Sequence, residues 1–196
     1  MRSEIEKNRI RLFHTGFSVI EEPDIRAGRK NTDFGQGFYL SDDSEFSKRW
    51  ARERRGQKTY INEYELDVSG LRIKHLARDG EWYDYIYSNR TGTADLLSDY
   101  DVITGPIAND TIYDSLGITT SGFIKRDQAL RLLMIGPVYE QTAIKSEKAL
   151  QALRFVSATE ITSEEIASYR DTVRDEEEKY QQQFVKLLGE MINVSE

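Results

Sequence analysis

Two short runs hold the side chains of this chain best placed for chemistry: His14-Thr15-Gly16 and Asp33-Phe34-Gly35-Gln36-Gly37-Phe38-Tyr39-Leu40-Ser41. The second contains a Gly-x-Gly turn that delivers an aromatic pair into a short apolar run, with a helix-like segment close behind. Glycine carries no Cβ, so a ligand can approach the main chain closely there. The tyrosine is thereby pinned beside the strand that ends at His14, a shape suited to gripping a flat ring.

The elements that must position these residues follow from periodicity. Residues 9–13 alternate Ile10 and Leu12 with arginines, which predicts a first strand with one buried face. Residues 21–31 hold Pro23, Gly28 and several charges and read as a loop. A helix over 44–54 is capped by Asp42, Asp43 or Ser44 and stopped by Gly56. Strands are expected at 58–68 and 71–74, a helix at 81–89, and a short buried strand at 101–104. A helix start at 112–115, an amphipathic helix over 125–133, a strand at 139–144, a short helix at 146–153 and a last strand at 154–156 complete the domain. From Thr162 a long helix begins, with Ile166, Tyr169, Val173, Tyr180, Phe184, Leu187 and Leu188 apolar and the acidic run Asp175-Glu176-Glu177-Glu178 in its middle. The fold class expected is α+β, as a domain over 1–158 and a helical appendage over 159–196. A long apolar stripe on that helix needs a cover. The domain itself, a cognate neutralising protein (an antitoxin) or a second copy of this chain would supply one.

Composition bounds the function. A length of 196 residues fits one domain able to bury a core without metals or disulfides. With 38% hydrophobic, 31% charged and 11% aromatic residues it reads as a folded protein. The absence of cysteine removes thiolate nucleophiles and Cys-based zinc sites. His14 and His75 lie far apart and the acids lack EF-hand spacing, so no metal site is expected. The N-terminal segment lacks the apolar core of a signal peptide and no run is apolar enough to span a bilayer, so the expected location is cytoplasmic, with no membrane partner. A net charge of −7 gives no global attraction for nucleic acid, although residues 48–55 carry five basic side chains around Trp50.

Asp33-Phe34-Gly35 invites a protein-kinase reading, in which such a triplet holds magnesium. No Gly-rich loop, strand lysine or His-Arg-Asp loop can precede a triplet this near the N-terminus, and the reading fails. The wider pattern, His-x-Gly on a first strand, Gly-x-Gly-Phe-Tyr on a second and Tyr139-Glu140-Gln141 on a late strand, resembles the ADP-ribosyltransferase superfamily on its His-Tyr-Glu side. In detail the chain looks most like the bacterial domain of unknown function 3990 family, over about residues 11–155. The resemblance implies a split β-sandwich of two antiparallel sheets with flanking helices and a C-terminal helix. It also implies NAD consumed as a cosubstrate, with no metal.

Carried over residue by residue, the resemblance places His14 on the adenosine-side ribose hydroxyl, Gly16 in backbone bonds with the carboxamide, Tyr39 on the nicotinamide ring and the hydroxyl of Ser47 toward the carboxamide, with Thr15 a further cofactor-binding residue. Gly35 and Gly37 shape the turn. Gln141 falls where the polymerases carry a glutamate; a neutral amide can bond a ribose but cannot act as a carboxylate base. Mono-ADP-ribosylation is therefore favoured over polymer elongation. Strand alternation sends Glu140 to the opposite face. Arg90 either meets the pyrophosphate, since guanidinium forks match phosphate oxygens, or closes its helix with a salt bridge. Asp110 either supplies a carboxylate near the acceptor or caps a turn. The expected function is a toxin-like NAD-dependent mono-ADP-ribosyltransferase, a glycosyltransferase acting on a protein or nucleic acid. The alternatives are an NAD glycohydrolase and a non-catalytic module that binds NAD or ADP-ribose.

Overall fold

Alternation of buried Leu12, Tyr64 and Leu66 with charged neighbours builds the first sheet of the computed structural model, which describes residues 8–108 and 125–193. β1 (Arg9–Gly16), β3 (Thr59–Asp67) and β7 (Leu153–Ile161) pair antiparallel in the order β1-β3-β7, with a bulge between Glu63 and Tyr64. The second sheet has the order β2-β6-β5-β4, from β2 (Phe38–Leu40), β6 (Glu140–Ile144), β5 (Val102–Pro106) and β4 (Ile73–His75). It departs from the expected pattern at its edge: β4 and β5 are parallel. The cause is the connection between them, which contains the helix α2 (Gly80–Thr91), and parallel neighbours need such a crossover. The architecture is α+β with two mostly antiparallel sheets and a C-terminal helix.

The sheets face each other across Leu12, Tyr64 and Leu66 on one side and Phe38, Leu40, Val102 and Ile144 on the other. They touch by backbone at one point, where Phe13 N donates to Ser41 O at 2.7 Å and Ser41 N to Phe13 O at 2.9 Å. Beyond this bridge β1 continues to His14 and the two sheets part. The other face of the second sheet is covered by helices. Trp82, Tyr85 and Ile86 of α2 and Ala129, Leu132 and Leu133 of α3 (Arg126–Leu133) pack against Phe34, Ile103 and Ala143. Asp79 caps α2, accepting from Glu81 N and Trp82 N, and Gly92 ends it at a φ of 69°.

Two expected elements change length. The helix after β2, α1, spans Ser44–Lys48, capped by Asp43 as expected, but stops well before residue 54. The guanidinium of Arg52 takes the Arg49 and Ala51 carbonyls, and Thr59 Oγ1 donates to Arg52 O, so the main chain there is bonded to side chains instead of to a further helical turn. β7 is the reverse case: it follows α4 (Glu147–Gln151) and runs to Ile161, because its pairing with β3 extends to Thr59↔Ile161. Position 158, taken from the sequence as the domain boundary, falls inside this strand. The helix start expected at 112–115 lies outside the described residues.

The long helix α5 (Ser163–Asn193) opens with a capping box, Glu165 Oε2 accepting from Thr162 N at 2.9 Å and Thr162 Oγ1 accepting from Glu165 N at 3.2 Å. Its apolar stripe is covered by the domain itself. Ile166 packs with Ala51, Ile61 and Ile161, and Tyr180, Phe184, Leu187, Leu188 and Met191 join the cluster around α2 and α3. Glu176 also pairs with Arg49 and accepts from Tyr139 Oη at 2.9 Å. Ile166 is 5% exposed, so Ile166→Ala should cost about 2–5 kcal/mol in chemical denaturation. An unchanged midpoint would show that the helix start adds nothing to the fold.

Candidate functional site

The cleft where the sheets part is a cavity of ≈ 660 Å³. Its walls come from five elements, each contributing a residue singled out in the sequence: His14 and Thr15 from β1, Tyr39 from β2, Ser47 from α1, Arg90 from α2 and Gln141 from β6. His14 Nδ1 bonds Tyr39 O at 2.8 Å, and as a carbonyl only accepts, Nδ1 carries the proton. Burial lowers the His14 pKa below its usual value, with the bond to Tyr39 opposing, so the ring is held neutral with Nε2 as an acceptor. A side chain at Gly16 would place its Cβ 3.4 Å from Nε2. That is an ordinary contact, and Gly16 itself does not line the cavity.

Ser47 is buried, not solvent-facing, and shares a hydrogen bond of 3.1 Å with Thr15 Oγ1. The two hydroxyls sit together on the cavity wall. Tyr39 turns its hydroxyl inward, to Thr32 Oγ1 at 2.7 Å, Phe34 N at 3.0 Å and Gly35 O at 2.7 Å. Burial first of all raises its pKa, so it stays protonated. The ring is thus fixed in the wall by its own oxygen. The turn that delivers it needs its glycines: Gly35 has a φ of 71°, and a Cβ there would stand 2.8 Å from Asn89 Oδ1. A Cβ on Gly37 would stand 2.7 Å from Ile144 O, so Gly37 is required for packing and does not itself line the cavity.

Strand alternation separates the two late-strand candidates as expected. Gln141 lines the cavity and Glu140 is exposed, with the β5–β6 register continuous through both. Asp110 lies outside the described residues. Arg90 forms the salt bridge that was one of its two readings, Nη2 to Asp33 Oδ1 at 2.5 Å, while its side chain also lines the cavity.

Sequence reasoning missed Asp33, treating it only as part of a false kinase triplet. It is 5% exposed and lines the cavity. Its Oδ1 accepts from Arg90 Nε at 2.7 Å; its Oδ2 accepts from Ala108 N and from Gln141 Nε2, each at 2.9 Å. The signal available was an acid directly before a Gly-rich turn, too common to stand out. Among the described residues it is the only acid lining this cavity. No group of three or more potential metal ligands occurs among them either, and no helix among them is long and apolar enough to cross a membrane.

A second cavity, of ≈ 400 Å³, adjoins the first and shares Phe46, Trp50 and Ile107 with it. α5 forms one wall through Val173, Glu176 and Tyr180.

The fold is a two-sheet α+β domain with a cavity at the point where the sheets split. The chain belongs to the family described as "Protein of unknown function (DUF3990)", whose family model matches residues 10–155. No curated protein and no solved structure gives a significant match.

The depressed pKa of His14 sets a pH dependence. Unfolding lets the ring take up a proton that the fold resists, so this group's contribution is present above the unfolded value, about 6.5, and is lost as pH falls below it. His14→Gln can keep a donor on Tyr39 O without titrating. The thermal midpoint of wild type should fall more steeply than that of the variant between about pH 7 and pH 5; parallel curves would contradict a neutral, buried His14.

Proposed function

We propose that the protein is an NAD-dependent mono-ADP-ribosyltransferase acting on a protein or nucleic acid, in a toxin-like role. One observation carries this reading: His14, Thr15, Tyr39, Ser47, Arg90 and Gln141, each picked from sequence for a task on NAD, line a single cavity. Its size falls in the range of small-molecule sites, about 300–1,000 Å³. The two-sheet fold, split beside His14, supports the ADP-ribosyltransferase-like sandwich that the sequence resembles.

In this reading His14 Nε2 accepts from a ribose hydroxyl, the Tyr39 ring covers one face of the nicotinamide, and the Thr15 and Ser47 hydroxyls address its carboxamide. Gln141 holds the second ribose. Scission of the bond to nicotinamide has an oxocarbenium-like transition state, for which positioning and local charge matter more than a strong base. The acceptor nucleophile then takes the ribosyl carbon, and its proton leaves to solvent. Water in that place gives NAD hydrolysis. The neutral amide at 141 favours a second reading, an NAD or ADP-ribose binder without turnover.

Incubating the purified protein and a cell lysate with labelled NAD separates the three: label on macromolecules, free ADP-ribose, or unchanged NAD. Transfer is expected, and no NAD consumption would leave the binder. Tyr39→Ala should weaken NAD about tenfold or more by calorimetry, since stacking adds about 0.5–1.5 kcal/mol beyond burial. Tyr39→Phe, which keeps the ring, should lose less; equal losses would assign the effect to the hydroxyl. Gln141→Ala should reduce transfer more than binding while Glu140→Ala does little, and the opposite ranking would move the role to Glu140.

A further inference from the structure

A glutamine side chain has a donor end and an acceptor end, and which end meets the ligand decides what it can recognise. At position 141 the choice is made by Asp33. The Asp33 carboxylate is held by the Arg90 guanidinium, at 2.5 Å from Nη2 and 2.7 Å from Nε, and it accepts from Ala108 N at 2.9 Å. Paired in this way it is an anion that only accepts. The Gln141 atom 2.9 Å from Asp33 Oδ2 must therefore be the amide nitrogen. The carbonyl oxygen is the end left over, and no bond to it from the described residues competes with a ligand.

We infer that Asp33 is a positioning residue that fixes the polarity of Gln141, so that this neutral side chain presents a hydrogen-bond acceptor to a ligand hydroxyl. Under the proposed NAD reading, on which the ligand assignment rests, that hydroxyl belongs to the ribose beside the scissile bond. The same geometry explains the residue type. A glutamate at 141 would set a second carboxylate within hydrogen-bond distance of the first, and two such groups cannot both ionise without cost. A carboxylate at 141 therefore weakens this site instead of improving it.

The test is an exchange of the two side-chain types. Asp33→Asn, Gln141→Glu and the double variant D33N/Q141E are compared with wild type for NAD affinity by calorimetry and for thermal midpoint against pH. In the double variant the amide now at position 33 can donate to the carboxylate now at position 141, which again turns an acceptor oxygen to the cavity. Each single variant should bind NAD about threefold to tenfold more weakly, as expected when a neutral hydrogen bond to the ligand is lost. The double variant should bind NAD better than either single one, which additive effects cannot produce, and stay below wild type because the amide nitrogen at position 33 then faces Ala108 N.

Gln141→Glu should also lose stability as pH rises, because a carboxyl whose folded pKa is raised binds more protons folded than unfolded. The double variant should lack that slope. This second reading needs no ligand: if wild type does not bind NAD, the NAD assignment fails while the thermal comparison still decides the role of Asp33. An Asp33→Asn that fails to fold beside a folded double variant supports the inference. A double variant no better than the worse single one, unfolded where Gln141→Glu folds, or as pH-sensitive as Gln141→Glu, overturns it.

Discussion

One buried carboxylate organises the cleft. Taking Asp33 out of water costs several kcal/mol unless its oxygens are answered. The answers come from distant parts of the chain: Arg90 at the end of α2, Gln141 on β6 and the backbone of Ala108 just beyond β5. Moving any of these away weakens the compensation of a buried charge, which ties the helix, the sheet and the turn into one arrangement. The turn itself is held from both sides. Tyr39 Oη gathers Thr32, Phe34 and Gly35, Lys145 Nζ donates to Phe34 O, and Asn89 Nδ2 donates to Asp33 O at 3.2 Å.

That arrangement prepares the cleft before any ligand arrives. Under the proposed NAD reading, the site gains affinity because its groups do not have to be ordered on binding. His14 is fixed by a backbone carbonyl, Ser47 by Thr15, Tyr39 by its hydroxyl and Gln141 by Asp33. The C-terminal helix extends the same logic to the rim. Its Glu176 engages Arg49 and Tyr139, which line the neighbouring cavity, Arg49 lying 4.5 Å over the Tyr139 ring. A segment read from sequence as an appendage is thus built into the surface next to the site.

How much of this was legible in the sequence follows from where the signal was local. The strand around Tyr64 and Leu66 and the helix bearing Trp82, Tyr85 and Ile86 declare themselves, because periods of 2 and 3.6 are written in adjacent residues. Alternation separated Gln141 from Glu140, and the family resemblance chose Gln141 as the one facing the site. The parallel β4–β5 pair was not legible, since sheet order depends on long-range pairing that three-residue strands do not encode. The early end of α1 depends on Arg52 capturing carbonyls, which no local propensity announces. Asp33 was the largest omission: its importance lies in meeting Arg90 and Gln141, 57 and 108 residues away along the chain. The cover of α5 stayed open between the domain and a partner for the same reason, because an apolar stripe does not say what it packs against.

A crystal structure of the protein with NAD bound tests the central claim most directly. The nicotinamide ring should lie against Tyr39, with a ribose hydroxyl about 3 Å from the carbonyl oxygen of Gln141 and the Gln141 nitrogen still on Asp33. NAD seated only in the neighbouring cavity, or with its ribose against the Gln141 nitrogen, would contradict it.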